Sequence, residues 1–198
     1  MASILVTGFE PFLKEIVNPS GEILRSLPVS PEVETLILPV SYERSWRALQ
    51  SHLENRSYEF ILMLGQAGGR AQISLEKVAL NLQDSATADE DGMLRLDQKI
   101  SVEGPKAIIS SLPLREWASL LLSKQRPVNV SHSAGAFVCN SLYYQLSEKF
   151  FDSEQTRVLF VHVPYLSEQV QEKENSIPSL TLDVMTQAIQ NLIELCRL

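Results

Sequence analysis

Four short apolar runs constrain this chain more than any other feature. They are SILVT (3–7), VETLIL (33–38), FILML (60–64) and VLFVHV (158–163). Apolar runs of that length, bounded by turn-forming residues, read as strands, and near-continuous apolarity marks a strand covered on both faces. Between them lie stretches with helical spacing. Tyr42, Trp46, Leu49 and Leu53 recur within 41–56, and Val138, Leu142, Leu146 and Phe150 within 137–150. Leu182, Met185, Ile189, Leu192 and Cys196 recur within 180–198, and 114–123 is a leucine-rich helical stretch. Residues 18–26 form a further expected helix, with Asn18 as N-cap and Pro19 in the first position. Shorter strands are expected at 107–110 and 128–131. Residues 73–81 are β-like but ambiguous, and 82–97 is an acidic loop.

This alternation predicts a single-domain α/β three-layer sandwich over 1–198, a mostly parallel twisted sheet with helices on both faces. Ligands of such folds sit outside the carboxyl ends of the strands. The loops to inspect are therefore GFEPF, GQAGGR and VPYLSEQ, which follow three of the predicted strands.

Composition excludes several classes of function. The net charge is −7 with no Lys/Arg block, which argues against nucleic acid as a partner. No apolar run approaches a membrane span. MASILVTG lacks a basic leader and a long apolar core, so the expected location is the cytoplasm. The two cysteines, Cys139 and Cys196, make no disulfide framework and are expected as free thiols. His52, His132 and His162 are too scattered for a zinc site, so no metal is expected.

Cys139 ends the small-residue run SHSAGAFVC at a loop-to-helix junction. Helix N-termini favour anions, so the position is expected to lower a thiol pKa, and nearby N–H groups could hold an oxyanion. A buried, inert cysteine is the competing reading. His162, at the end of an apolar strand, is placed to serve as base and then acid. Glu76 is a carboxylate within an apolar strand-like stretch. It would either orient His162 or simply pair with Lys77 or Arg70. His132 is nearer Cys139 in sequence but ranks below His162. GQAGGR is rich in glycine but has neither phosphate-loop pattern, so a nucleotide site is weakly supported.

Three stretches together resemble the type I pyroglutamyl peptidases, also called pyrrolidone-carboxylate peptidases. GQAGGRAQISLEKVALN (65–81) is similar to the family's glutamate motif, VNVSHSAGAFVCN (128–140) to its cysteine motif, and VHVPYLSEQ (161–169) to the stretch around its histidine. VTGFEPF, NPS and GP followed by SSLPL also match. The resemblance implies a cysteine exopeptidase that removes N-terminal pyroglutamate through a thioester. Cys139 would be the nucleophile, His162 the base and acid, and Glu76 the orienter, with no cofactor. It implies peptides bearing N-terminal pyroglutamate as substrate, with Phe9, Phe12, Asn18 and Gln66 contacting it. Homotetramers are common in the family. Three departures stand out: Leu13-Lys14 replace a Gly-Gly pair, Ala86 replaces an arginine near the reaction centre, and Ser167 replaces a proline. Arg95 and Arg70 are candidate substitutes for the missing cation. A catalytically weakened homologue that binds lactams is the alternative these departures raise.

Overall fold

The structure, a computed structural model, describes residues 3–171 and 177–198. In chain order the elements are β1 (Ile4–Phe9), α1 (Pro19–Ser26), β2 (Val33–Leu38), α2 (Tyr42–Leu53), β3 (Phe60–Gln66) and β4 (Ile73–Glu76). There follow β5 (Val78–Leu80), β6 (Ala107–Ile109), α3 (Leu114–Ser123), β7 (Val128–Ser131), α4 (Val138–Lys149) and β8 (Arg157–Val163). The chain closes with β9 (Tyr165–Leu166), α5 (Ser167–Val170), β10 (Ser179–Leu180) and α6 (Leu182–Cys196).

The main sheet has the order β2-β1-β3-β8-β4-β7. The first four strands are mutually parallel, β4 runs antiparallel to β8, and β7 runs parallel to β4. The mostly parallel sheet is as expected, but the reversal at β4 is not visible in a hydrophobic pattern, which has no direction. The ambiguous 73–81 stretch splits into β4 and β5. β5 leaves the sheet to pair with β6 as a separate antiparallel ribbon.

Side-chain alternation sorts the sheet into two faces. Ile4 and Val6 of β1, Leu62 and Leu64 of β3 and Leu159, Val161 and Val163 of β8 pack with α1, α3 and α6. Leu5 and Phe9, Ile61 and Met63, and Phe160 face the other way, toward α2, α4 and the β5–β6 ribbon. His162 shares the parity of Phe160, and Gly65 that of Ile61 and Met63. Each therefore points to the α2/α4 side. Glu76, out of register with the apolar Ile73 and Leu75, faces the same way.

Asn18 caps α1 as the sequence suggests, its side chain accepting from Ser20 N ahead of Pro19, and Ser41 caps α2 through Arg44 N. The stripe on α6 is buried, with Cys196 1% exposed, a packing residue. Among the described residues no helix is long and apolar enough to cross a membrane, and no cluster of His, Cys, Asp or Glu could hold a metal ion.

Candidate active site

The site forms where β3 and β8 end beneath the start of α4. Gly65 is the register partner of His162 on the neighbouring strand. Cys139 lies in the first turn of α4 and descends onto that pair. A Cβ added to Gly65 would lie 2.9 Å from Cys139 Sγ and 2.8 Å from the Phe160 ring. Contacts that short are not tolerated, so only glycine leaves the sulfur room beside the histidine strand.

On the other side of β8, the reversed strand β4 brings Glu76 to the imidazole. His162 Nδ1 lies 2.8 Å from Glu76 Oε1, with His162 4% exposed and Glu76 fully buried. An ionised carboxylate only accepts, so Nδ1 carries the proton and Nε2 is left as the acceptor. Tyr143 of α4 donates to the Glu76 carbonyl at 2.9 Å, which ties the helix bearing Cys139 to the strand bearing Glu76. The structure thus brings Cys139, His162 and Glu76 to one face. His132 is exposed and takes no part in this network.

Both sequence readings of Glu76 hold at once. Arg70 Nη1 donates to the same Oε1 at 2.6 Å, and its Nη2 donates to the Ser133 carbonyl at 3.1 Å. Lys77, the other candidate, turns away to the Leu112 carbonyl. Glu76 Oε2 is buried with no hydrogen-bond partner among the described residues.

The electrostatics correct one expectation. The Cys139 thiol is not lowered: burial pushes it up to about 12, and the Glu76 carboxylate adds to the rise. The downward pulls of its own backbone N–H and of Arg70 are smaller. Burial likewise pushes His162 below the ordinary imidazole value of 6.5, and Arg70 reinforces this against the pull of Glu76. Both shifts favour the neutral forms, thiol and imidazole, over an ion pair. Helix-end stabilisation is outweighed because a thiolate here would be desolvated beside a carboxylate. The helix end is still available to a ligand. Phe137, the N-cap of α4, contributes no side-chain cap, so the first-turn N–H groups have no competing side-chain acceptor.

The proposed substrate residues fall into three roles. Phe12 is half-buried and faces Phe137, with ring centroids 5.6 Å apart, and Phe137 meets Tyr42 edge-on at 5.4 Å. Phe9 is 2% exposed and belongs to the core beneath this wall. The Asn18 side chain is spent within the chain: Oδ1 accepts from Ser20 N and Oγ, and Nδ2 donates to the Glu10 carbonyl. It holds the loop that carries Phe12. Gln66 Oε1 accepts from Gln169 at 3.1 Å, and Gln169 also bonds Val17 O, Glu15 and Leu166 N. Gln169, a hub joining the loops after β1, β3 and β8, was not singled out in the sequence. Its only signal there is its place in the VPYLSEQ stretch.

The acidic loop is held down from both sides. Asn140 clamps Leu80 and Leu82, Asp84 N donates to the Ala136 carbonyl, and Asp89 accepts from Tyr42 N. Across this loop the Ser85 N–H donates to the Arg95 carbonyl at 2.9 Å, while the Arg95 guanidinium reaches Gln98 Oε1 and Glu43 Oε1. Leu13 adopts φ 57°, a left-handed conformation that suits glycine.

A family model described as pyroglutamyl peptidase matches residues 2–197. A pyrrolidone-carboxylate peptidase of Fusobacterium nucleatum is 36% identical, the alignment covering 98% of this chain and 92% of the relative. The crystal structure of pyrrolidone carboxyl peptidase from Fervidobacterium islandicum AW-1 superposes with a TM-score of 0.92 at 41% identity, covering 98% of this chain and 97% of that one. Pyroglutamyl peptidase I of Bacillus amyloliquefaciens gives 0.87 at 34% identity, covering 96% and 94%.

Proposed function

The chain belongs to the pyroglutamyl peptidase family, and on that premise we propose that Cys139, His162 and Glu76 carry its reaction. The activity is that of a cysteine-type omega peptidase, which removes N-terminal pyroglutamate from peptides. The observation that carries the residue assignment is the shared face. A thiol rests against Gly65, Gly65 pairs with His162, and His162 is held by Glu76.

The steps follow from the geometry. His162 Nε2 takes the thiol proton as sulfur attacks the scissile carbonyl, since burial favours the neutral form of both groups. The developing imidazolium lies against Glu76, and the developing oxyanion against the first-turn N–H groups of α4. His162 then passes its proton to the departing amine, leaving a pyroglutamyl thioester on Cys139. Water, deprotonated by His162, hydrolyses it and frees pyroglutamate and the thiol.

The ring is a neutral lactam without an α-amine, and it would lie on the wall of Phe12 and Phe137. Phe9 supports that wall from beneath. Gln66, held by Gln169, offers the lactam edge a polar partner, and Asn18 fixes the loop bearing Phe12. No charged group is needed to meet an amine, which favours a blocked N-terminus over a free one.

The test is hydrolysis of pyroglutamyl-aminomethylcoumarin by the wild type, by iodoacetamide-treated protein and by Cys139→Ser. Dye release lost in both treated forms supports the enzyme. Binding of pyroglutamate without release, even at high protein concentration, would favour the weakened lactam-binding homologue.

A further inference from the structure

Among the described residues Arg70 is the one cation joined to Glu76, and its geometry is more specific than charge balance requires. One guanidinium nitrogen shares Glu76 Oε1 with the imidazole, at 2.6 Å against 2.8 Å, and another reaches the Ser133 carbonyl at 3.1 Å. Ser133 lies in the loop that runs into Phe137 and Cys139. A single side chain thus spans the glycine-rich loop after β3, the end of β4 and the loop entering α4. Its planar fork can hold two acceptors in fixed directions, which a lysine cannot. We propose that Arg70 is a positioning residue acting through Glu76: its bridge sets the loop that delivers Cys139, and its charge sets the pH range over which the Cys139–His162 pair works. This rests on the reading of Cys139 as nucleophile.

The charge argument follows from the neighbours. The charged groups that act on the imidazole are Glu76 from β4 and Arg70 from the preceding loop; from α4, Tyr143 reaches the Glu76 carbonyl, and Cys139 Sγ lies over Gly65, the register partner of His162. A buried carboxylate at hydrogen-bond distance ordinarily makes an imidazole more basic. Here burial holds His162 below its ordinary value, and Arg70, sharing the same oxygen, adds a smaller downward pull that partly offsets the carboxylate; the same cation also opposes, by a smaller amount, the rise of the Cys139 thiol. Without Arg70, the pull of Glu76 on the imidazole would be opposed by burial alone, and protonation of His162 would begin at higher pH. The arginine's outer edge is solvated, its side chain 30% exposed, so replacing it leaves no sealed cavity.

Two variants separate bridge from charge. Arg70→Gln removes both, and Arg70→Lys keeps the charge without the fork. For Arg70→Gln, the ratio of kcat/KM at about pH 5.5 to that at about pH 8 falls roughly threefold below the wild-type ratio, because protonation of His162 moves to higher pH. Alkylation of Cys139 by iodoacetamide at about pH 9 slows about threefold, because the thiol becomes more basic. Arg70→Lys keeps both wild-type profiles but loses about tenfold in kcat, with KM little changed. An Arg70→Gln profile that differs from wild type only by a scale factor, with unchanged alkylation, would overturn the charge role. An Arg70→Lys kcat equal to wild type would overturn the bridge. Alkylation needs no substrate. If the wild type released no dye, the functional reading would fail while the alkylation rates still decided the charge role of Arg70.

Discussion

The two walls of the cleft are built on different terms. The inner wall is made of strand ends: Gly65 from β3, His162 from β8 and Glu76 from β4, each placed by sheet register and almost wholly buried. The outer lip is made of loops: 10–18 with Phe12 and Leu13, and 82–98 with Ala86 and Arg95. The departures from the family pattern fall on the lip, apart from Ser167 at the start of α5. The lip also carries a left-handed leucine and, as the inner wall does at Glu76 Oε2, a buried polar atom without a partner among the described residues, Arg95 Nε. The inner wall therefore has little freedom to vary, while the lip can change with modest effect on the chemistry. That contrast predicts large catalytic losses from small changes inside and small losses from larger changes outside.

The largest effect is expected from Glu76→Gln. It leaves the shape and removes the charge that orients Nδ1–H, so kcat should drop by about three to four orders of magnitude. A loss below tenfold in the coumarin assay would show that Glu76 is not the orienter. Next comes Gly65→Ala. One methyl would collide with Cys139 Sγ and the Phe160 ring, and a displaced nucleophile should cost about ten- to a hundredfold in kcat at little change in KM. An unchanged kcat would break the claim that the sulfur rests on this glycine.

On the lip, Arg95→Ala is expected to lower kcat/KM about threefold, since this partly solvated cation is paired with Glu43 and screened. A loss of a hundredfold would make Arg95 a member of the inner set and erase the contrast. The smallest effect concerns stability. The Tyr42 hydroxyl is buried without a partner, and such a group costs about 1–3 kcal/mol, so Tyr42→Phe should leave the midpoint of thermal unfolding unchanged or raised. A clear fall would mean that the hydroxyl has a partner.

The sequence made five of the six strands of the sheet legible to within about two residues, because doubly covered strands are apolar throughout and their lengths are distinctive. β2, α1, α3 and β7 begin and end within a residue or two of their expected bounds. The direction of β4 was hidden, and with it the route by which Glu76 meets His162, since periodicity carries no sense of direction. The ambiguity of 73–81 was real: the chain leaves one sheet and joins a ribbon within a few residues. The three catalytic candidates were legible as residue types at strand ends and a helix start. The thiol's upward shift was not, because helix-end charge can be read from position, whereas desolvation beside Glu76 depends on what packs around it. Arg70 and Lys77 were equal candidates as partners of Glu76 until the fold sent Lys77 to the Leu112 carbonyl.

The central claim is that Cys139 attacks substrate carbon and carries the acyl group. The most direct measurement is to quench the wild type in acid during turnover of a pyroglutamyl peptide and map the modified fragment by mass spectrometry. The account predicts a pyroglutamyl adduct on the fragment holding Cys139. Free pyroglutamate formed with no adduct on that fragment, or with the adduct on Cys196 instead, would contradict it.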